Sequence, residues 1–576
     1  MTSTTALNPA GRAAALAAMS STELDVLVIG GGVVGAGAAL DAAARGLRVG
    51  LVEARDWASG TSSRSSKLIH GGLRYLEQLD FGLVREALRE RSLILNRLAP
   101  HLARPVPFLY PLRHRVWERL YVGAGVMLYD TLGGRNGVPG HRHLTRRGAL
   151  AKFPALREDA LVGAIQYYDG QVDDARFAMM LVRTAAGRGA LCASSARATT
   201  YLREGGRVVG AVVRDLETGE EHRIRARQVI SCAGVWTSEL QRLAGGEAPI
   251  AVRASKGVHL LVPRERISGG PGIITRTPTS VLFIIPWDRH WIIGTTDSDW
   301  SLDLAHPSAS SADIEYLLQQ ANRLLADPLG REDVVGVYAG LRPLLAAEEE
   351  ATSRLSREHA VVSPVPGLVV VAGGKYTTYR VMARDVVDVA AVGLGGGVPA
   401  SSTEDIPLVG AEGFAASRGR LRELAAAAGL GPTHIERLLH RYGGLIDDLL
   451  ALIAERPRLA APVSGAEDYL QVEVWYAAAA EGALHLDDVL ARRTRISIET
   501  PDRGAAAADG VARLVAPVLG WDEATIASEV TGYRARVAAE LDSQRQPDDR
   551  AADAVRLGAP DLRFGGVDAS VSATGE

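Results

Sequence analysis

Residues 25–35 read DVLVIGGGVVG, an apolar run that ends in Gly30, Gly32 and Gly35 at the spacing G-x-G-x-x-G and leads into a helical pattern reaching about Arg45. In such a unit one glycine permits a tight turn, the next lets backbone approach a pyrophosphate, and the last lets helix pack closely on strand. A second apolar strand over residues 48–52 ends at Glu53, 18 residues past Gly35. A carboxylate there can accept hydrogen bonds from ribose hydroxyls. Glycines alone would fit any glycine-rich turn. Strand, turn, helix, strand and acidic end together predict a dinucleotide-binding βαβ unit.

Composition bounds what that unit serves. At 576 residues and 61.0 kDa the chain has length for about two to four domains. Hydrophobic residues make up 47% and charged residues 23%, values that exclude wholesale disorder and a coiled-coil rod. Lys plus Arg (64) against Asp plus Glu (67) leaves a net charge of −3, so no global positive field attracts nucleic acid, and any bound anion must meet a local basic cluster. Two cysteines, Cys192 and Cys232, cannot build a disulfide framework or a four-thiolate metal site, and they suit a reducing, cytoplasmic compartment. No metal is expected, and redox chemistry must come from a cofactor. The most membrane-like run, residues 26–40, holds 15 uncharged residues with five glycines and is too short to span a bilayer.

Residues 49–52, 228–232 and 368–371 read as buried parallel strands of one sheet. Residues 200–225 and 250–300 alternate like antiparallel strands, which suggests a second layer that carries substrate contacts. From about residue 411 the pattern is helical, with Thr433 and Glu436 as a capping box and Gly443 as a stop. The Ala-rich lead-in, residues 1–21, and the polar tail, residues 546–576, are expected to be poorly ordered.

The βαβ unit serves NAD and FAD equally, because both carry the same adenosine diphosphate portion. Residues 59–77, SGTSSRSSKLIHGGLRYLE, decide for a flavin, since small hydroxyl residues and glycines let backbone pass close to a flat ring system. Two later strands end in Cys-Ala-Gly-Val-Trp (232–236) and in Ala-Gly-Gly-Lys-Tyr-Thr-Thr (372–378), the second opening a helix whose N-terminus stabilises negative charge. With SSKLIHGGLRYLE (65–77), VDDAR (172–176), IGTTD (293–297), GLRPL (340–344), GGKYTTYR (373–380) and DDVLARRT (487–494), the chain resembles the FAD-dependent glycerol-3-phosphate dehydrogenases, within the wider glycine and D-amino-acid oxidase group of flavoproteins. The likeness covers about residues 24–540.

That resemblance implies an α/β fold. A Rossmann-like FAD-binding domain (22–100, 165–245 and 355–400) carries a helical cap (101–164) and an inserted antiparallel-sheet substrate domain (246–354). An all-α C-terminal domain (401–545) and a disordered tail (546–576) follow. It implies FAD contacts from Gly30, Gly31, Gly32, Gly35, Glu53, Ser65, Ser66, Lys67, Leu68, Ala233, Gly234, Gly373, Gly374, Lys375 and Thr377.

Oxidising a secondary alcohol requires a base for the hydroxyl proton and an acceptor for the carbinol hydride. His70, next to two glycines, is the first candidate base; for a bare His-Gly-Gly a turn histidine bonded to backbone is the competing reading, and His259 is the alternate base. Guanidinium groups bind phosphate in fork geometry, and the resemblance implies Arg74 and Arg342 at the active site, with Tyr75 and Arg357 as further candidates for substrate contact. Lys375 and Arg342 are candidates to stabilise developing charge. Residues 111–135, PLRHRVWERLYVGAGVMLYDTLGGR, form a basic amphipathic stretch that fits either a membrane interface or a helix covering the substrate layer.

The expected activity is oxidation of sn-glycerol 3-phosphate to dihydroxyacetone phosphate, with electrons passed to a quinone at the inner face of the cytoplasmic membrane, by a peripheral protein that forms a homodimer. An oxidase that passes electrons to oxygen, an amine oxidase and a non-catalytic flavin-binding protein are the rival readings.

Overall fold

The computed structural model describes residues 5–72, 80–114, 116–133, 138–245, 249–278, 280–346, 358–559 and 561–563. Five parallel strands form the frame of the first sheet, in the order Leu368–Gly373, Glu221–Ser231, Leu24–Ile29, Val49–Val52 and Leu191–Ala193, with His359–Val365 antiparallel at the edge. The three strands expected to share a sheet therefore do so. Their runs are continuously apolar because both faces are covered. Helices Val33–Ala44, Asp174–Gly187 and Tyr379–Val392 pack on one face.

The other face is covered by an element read from sequence as a loose lead-in. Residues Pro9–Ser21 form a helix whose N-terminus is capped by the Asn8 side chain accepting from Gly11 N at 2.8 Å. Leu16 and Met19 are buried against Leu24 and its neighbours, and Arg12 pairs with Asp215, so this segment is held by packing and charge. The hairpin Ala196–Glu204 and Arg207–Asp215 extends the first sheet and does not join a second layer. Strand Glu221–Ser231 explains the difference: its first half alternates between wet and dry faces while it pairs with the hairpin, and its second half runs into the buried core.

Among the described residues the second sheet has ten strands. Its core is the antiparallel run Val252–Pro263, His290–Gly294 and Val281–Trp287, continued by Gly272–Arg276. Three further strands, Ala103–Leu112, Arg142–Thr145 and Gly163–Val172, come from chain positions expected in the cap and in the first domain. Pro105, Pro107 and Pro111 hide the first of these from a strand reading, since proline is excluded from most strand interiors.

Within the same insertion, helix Trp117–Gly133 buries Val126 and Tyr129 but leaves Trp117, Leu120, Tyr121 and Met127, with Val116 just before it, each more than half accessible.

The C-terminal region is helical as expected. Helix Pro432–Tyr442 begins two residues earlier than the capping-box reading, with Gly431 as cap and Pro432 in the first position, and it ends at Gly443, whose φ is +58°. The tail expected to be disordered from residue 546 contains the helix Asp549–Arg556, capped by Asp548 and packed on helix Glu523–Ser543 with Ala552 buried. Its polar composition concealed an amphipathic repeat.

The DDVLARRT stretch bolts the two ends of the chain together. Asp56, just past the βαβ unit and 1% exposed, accepts from Arg493 NH1 and NH2 at 2.7 and 2.6 Å and from Arg492 Nε. Removing one partner of a buried ion pair strands the other charge, at about 3–5 kcal/mol. Asp56→Ala is therefore expected to lower stability by that amount in urea unfolding, and a variant within about 0.5 kcal/mol of the parent would show that the network carries no net stability.

Candidate active site

One continuous cleft runs between the two sheets, with a cavity volume of about 1920 Å³. Typical small-ligand pockets hold roughly 300–1,000 Å³, so this one has room for a dinucleotide and a substrate together. Gly30 (φ +110°) turns the chain at the end of Leu24–Ile29, where a Cβ would lie 2.6 Å from the Cys232 carbonyl oxygen. A Cβ on Gly35 would lie 1.8 Å from the Gly30 oxygen, so Gly35 serves helix packing beneath the cleft. The first helical N–H, on Val33, donates to Ser62 Oγ at 2.9 Å. The Glu53 carboxylate accepts from Gly31 N at 2.6 Å and Arg55 N at 2.8 Å, which ties the glycine turn to the second strand. Burial pushes the Glu53 carboxyl up, against the pull of those two N–H groups.

At the other end, Gly373 and Gly374 take φ of +81° and +77° as strand Leu368–Gly373 ends, and present Lys375 to the cleft. The His70 backbone is gripped on both sides. Its N–H donates to Thr377 Oγ1 at 3.1 Å and its carbonyl accepts from the same hydroxyl at 3.2 Å. The next N–H, Gly71, donates to Tyr129 OH at 2.7 Å, and Tyr129 donates to Asp169 at 2.6 Å. Arg91 completes the support by donating to Asp169 at 2.7 Å.

The opposite wall comes from the second sheet. His259, 2% exposed, lies with Nε2 2.8 Å from Ser66 Oγ and stacks on Tyr338 at 4.8 Å between ring centroids. Burial above all, then Arg342 and Lys67, holds its pKa well below 6.5, so the ring is neutral. Its Nδ1 has no hydrogen-bond partner among the described residues. Arg342 is fixed by Thr295 Oγ1 at 3.0 Å, the Thr296 carbonyl at 3.3 Å, Ser255 Oγ at 3.4 Å and Asp297 at 3.4 Å, yet its side chain remains 23% exposed to the cleft.

The structure thus brings His70, His259, Arg342 and Lys375 to one cleft with Gly30, Gly32, Glu53, Ser65, Ser66, Leu68, Ala233, Gly234, Gly373 and Gly374. Four expected cofactor contacts, Gly31, Gly35, Lys67 and Thr377, lie outside the lining. Lys67 is fully buried behind the cleft wall, donating to Asp174 at 2.9 Å, because Asp174 is itself buried and requires a cation. Thr377 spends its hydroxyl on the His70 backbone. Gly31 and Gly35 act from beneath the lining. Arg74, Tyr75 and Arg357 lie outside the described residues.

Arg276, Tyr110 and Phe283 also line the cleft, as do Arg55 and Arg197 at the Glu53 end. Sequence reading missed them: a single arginine or aromatic in a strand carries no local signal. Bare backbone at Gly32, Gly234 and Gly373, the acidic end at Glu53 and the cavity volume together fit FAD.

A profile of FAD dependent oxidoreductases matches residues 25–388, and the chain belongs to that family. A second profile, the C-terminal domain of alpha-glycerophosphate oxidase, matches residues 401–526. The chain is 57% identical over 558 residues to glycerol-3-phosphate dehydrogenase of Mycobacterium leprae (strain TN), covering 97% of this chain and 95% of that one. It is 35% identical to the mitochondrial glycerol-3-phosphate dehydrogenase of Homo sapiens, over 89% of this chain and 73% of the other. The crystal structure of the glycerol-3-phosphate dehydrogenase from Bacillus halodurans, complexed with FAD, matches with a TM-score of 0.76 at 30% identity over 93% of this chain and 97% of that one. Within the FAD dependent oxidoreductases, this chain is therefore a member of the glycerol-3-phosphate dehydrogenase family.

Gly35→Ala would press a Cβ into the Gly30 carbonyl and force helix from strand, an overpacking that costs about 1–3 kcal/mol. The variant is expected to purify with less flavin absorbance per protein than the parent. Full flavin content would show that the turn tolerates the displacement.

Proposed function

We propose that this protein oxidises sn-glycerol 3-phosphate to dihydroxyacetone phosphate and passes the electrons to a membrane quinone. The observation that carries the reading is the convergence of a backbone-clamped histidine, His70, with the cations Lys375, Arg342 and Arg276 in one cleft large enough for FAD and substrate. Bound FAD supplies the acceptor for the carbinol hydride. The chain's own residues do the rest. His70 takes the hydroxyl proton, and Gly72, which lines the cleft beside it, leaves space for the substrate. Lys375 stabilises charge that develops on the substrate oxygen. Arg342 and Arg276 supply the local positive charge that a dianion needs on a chain of net charge −3. His259, neutral and buried, holds the Ser66 hydroxyl and so orders the loop that leads to His70.

The quinone reading is supported by the exposed apolar face of helix Trp117–Gly133, with Trp117 at 61% and Leu120 at 70% exposure beside Arg113 and Arg119. Such a face can lie in a bilayer interface without crossing it. No helix among the described residues is long and apolar enough to span a membrane. A second reading, an oxidase that reduces oxygen to hydrogen peroxide, is favoured by the alpha-glycerophosphate oxidase profile over residues 401–526. Quinone reduction against peroxide formation, measured on the same preparation, separates the two.

Anaerobic mixing with glycerol 3-phosphate is expected to bleach the flavin. His70→Asn should slow the bleaching by roughly 10²- to 10⁴-fold with little change in the substrate concentration required. Arg342→Ala should raise that concentration about 10- to 150-fold while leaving FAD bound and the weak reaction with glycerol unchanged. No bleaching by glycerol 3-phosphate would overturn the substrate, and parent-rate bleaching in His70→Asn would move the base to His259. Equal losses on both substrates in Arg342→Ala would withdraw the phosphate role.

A further inference from the structure

The last described residues of the chain, Asp561, Leu562 and Arg563, return to the cleft at the end marked by Glu53. Leu562 and Arg563 line it together with Glu53, Ala54 and Arg55. Three separate attachments hold them there. Asp561 accepts from Arg55, two residues past Glu53, and lies 3.1 Å from His306 Nε2. Leu562 packs on helix Glu523–Ser543 so closely that a Cβ on Gly532 would meet it at 2.8 Å. Arg563 NH2 donates to both carboxylate oxygens of Asp488 at 2.6 Å, and the Arg563 N–H donates back to Asp561 at 3.1 Å, closing the turn on itself.

The state of the Arg563 guanidinium points to a ligand. The side chain is 7% exposed and Asp488 fully buried, so the pair has been taken out of water. Only NH2 is satisfied by Asp488. Nε is buried and has no hydrogen-bond partner among the described residues, a costly condition for a charged donor unless something else accepts from it. The residue lines the cleft where a dinucleotide would place its adenosine and pyrophosphate oxygens, as Glu53 marks. Arg55 and Asp56, the residues that follow the acidic end of the βαβ unit, are each anchored to this C-terminal assembly, Arg55 through Asp561 and Asp56 through Arg492 and Arg493.

We propose that Asp561–Leu562–Arg563 is part of the cofactor site: a clasp across its adenosine end in which Arg563 donates to the cofactor and Asp561 latches the segment onto Arg55. The proposal rests on the reading that the cleft holds FAD. It assigns a binding role to a stretch that lies beyond both matched family regions, which end at residues 388 and 526. The segment belongs to neither sheet and lines the Glu53 end of the cleft, so its effect falls on how long the cofactor stays.

The test uses the holoprotein, Arg563→Lys, which keeps a cation for buried Asp488 but loses the guanidinium fork, and a chain ended after Ala559. FAD release is followed by the rise in flavin fluorescence on dilution, and the melting temperature of each apoprotein is measured in parallel. A lost charge-assisted hydrogen bond corresponds to about 10- to 150-fold faster release. The expected result is that acceleration in both variants, with the Arg563→Lys apoprotein melting at the parent temperature and the shortened chain, which takes a buried partner from Asp488, melting lower. Release at the parent rate in Arg563→Lys overturns the clasp, even if the shortened chain fails to fold. Faster release matched by a lower apoprotein melting temperature in Arg563→Lys also overturns it, by showing a structural role only. A parent that takes up no FAD overturns the cofactor reading itself, and the clasp with it.

Discussion

The fully buried carboxylate of Asp174 is the constraint on which the site depends. It accepts from Ser65 N at 2.9 Å, Ser65 Oγ at 2.7 Å and Lys67 Nζ at 2.9 Å, and from Arg495 of the C-terminal region. Its own carbonyl accepts from Tyr376 OH at 2.6 Å. Four segments far apart in sequence thus meet at one residue: the loop that carries His70, the start of helix Asp174–Gly187, the turn that presents Lys375, and the helical C-terminal region. Low dielectric makes such a cluster all-or-none, because a carboxylate out of water is tolerable only when every partner is present. Burial and the neighbouring Arg495 push the Lys67 pKa down, with Asp174 pulling the other way. For the adjacent Asp173 burial works upward, but Arg495 and Arg441 outweigh it and hold the carboxyl far below its ordinary range.

This hub explains why a set of charged residues distant from the reacting atoms is as much a part of the site as the cleft lining. The His70 backbone has no freedom to drift: Thr377 holds it from the Lys375 turn, and Tyr129, Asp169 and Arg91 hold Gly71 from the second sheet. The base proposed at His70 would have to lie within hydrogen-bond reach of one hydroxyl and would benefit from such positioning, since small misplacements cost rate steeply. The same ionic logic recurs at the opposite end of the cleft, where Asp56 and Asp488 bind Arg492, Arg493 and Arg563.

Much of this was legible in the sequence. DVLVIGGGVVG followed by Glu53 sufficed for the dinucleotide frame, because glycine spacing, strand length and acidic end each have a steric or hydrogen-bonding reason. The motifs around His70, Arg342 and Lys375 bring those residues to the cleft, and the motif around Asp174 supplies the buried cluster behind it. What they did not mark was direction. Lys67 and Thr377 sit in the same motifs as true lining residues, and only the fold decides that one turns inward to Asp174, through a backbone φ of +57°, and the other toward the His70 backbone. Arg276 was invisible as a lone arginine on a strand, and the helix Asp549–Arg556 was masked by a polar composition that its amphipathic spacing overrides. Prolines at 105, 107 and 111 concealed a strand of the second sheet.

The measurement that tests the central role of Asp174 most directly is a double-mutant cycle of Asp174→Asn and Lys67→Met, read by urea unfolding of the holoprotein. If the buried pair is held as the structure shows, each single change strands its partner and the double variant recovers part of the loss. The expected coupling lies in the range of about 0.5–3 kcal/mol found for residues that share one buried network. Losses that add within about 0.3–0.5 kcal/mol would contradict it, and would mean that the segments meeting at Asp174 are held in place by packing alone.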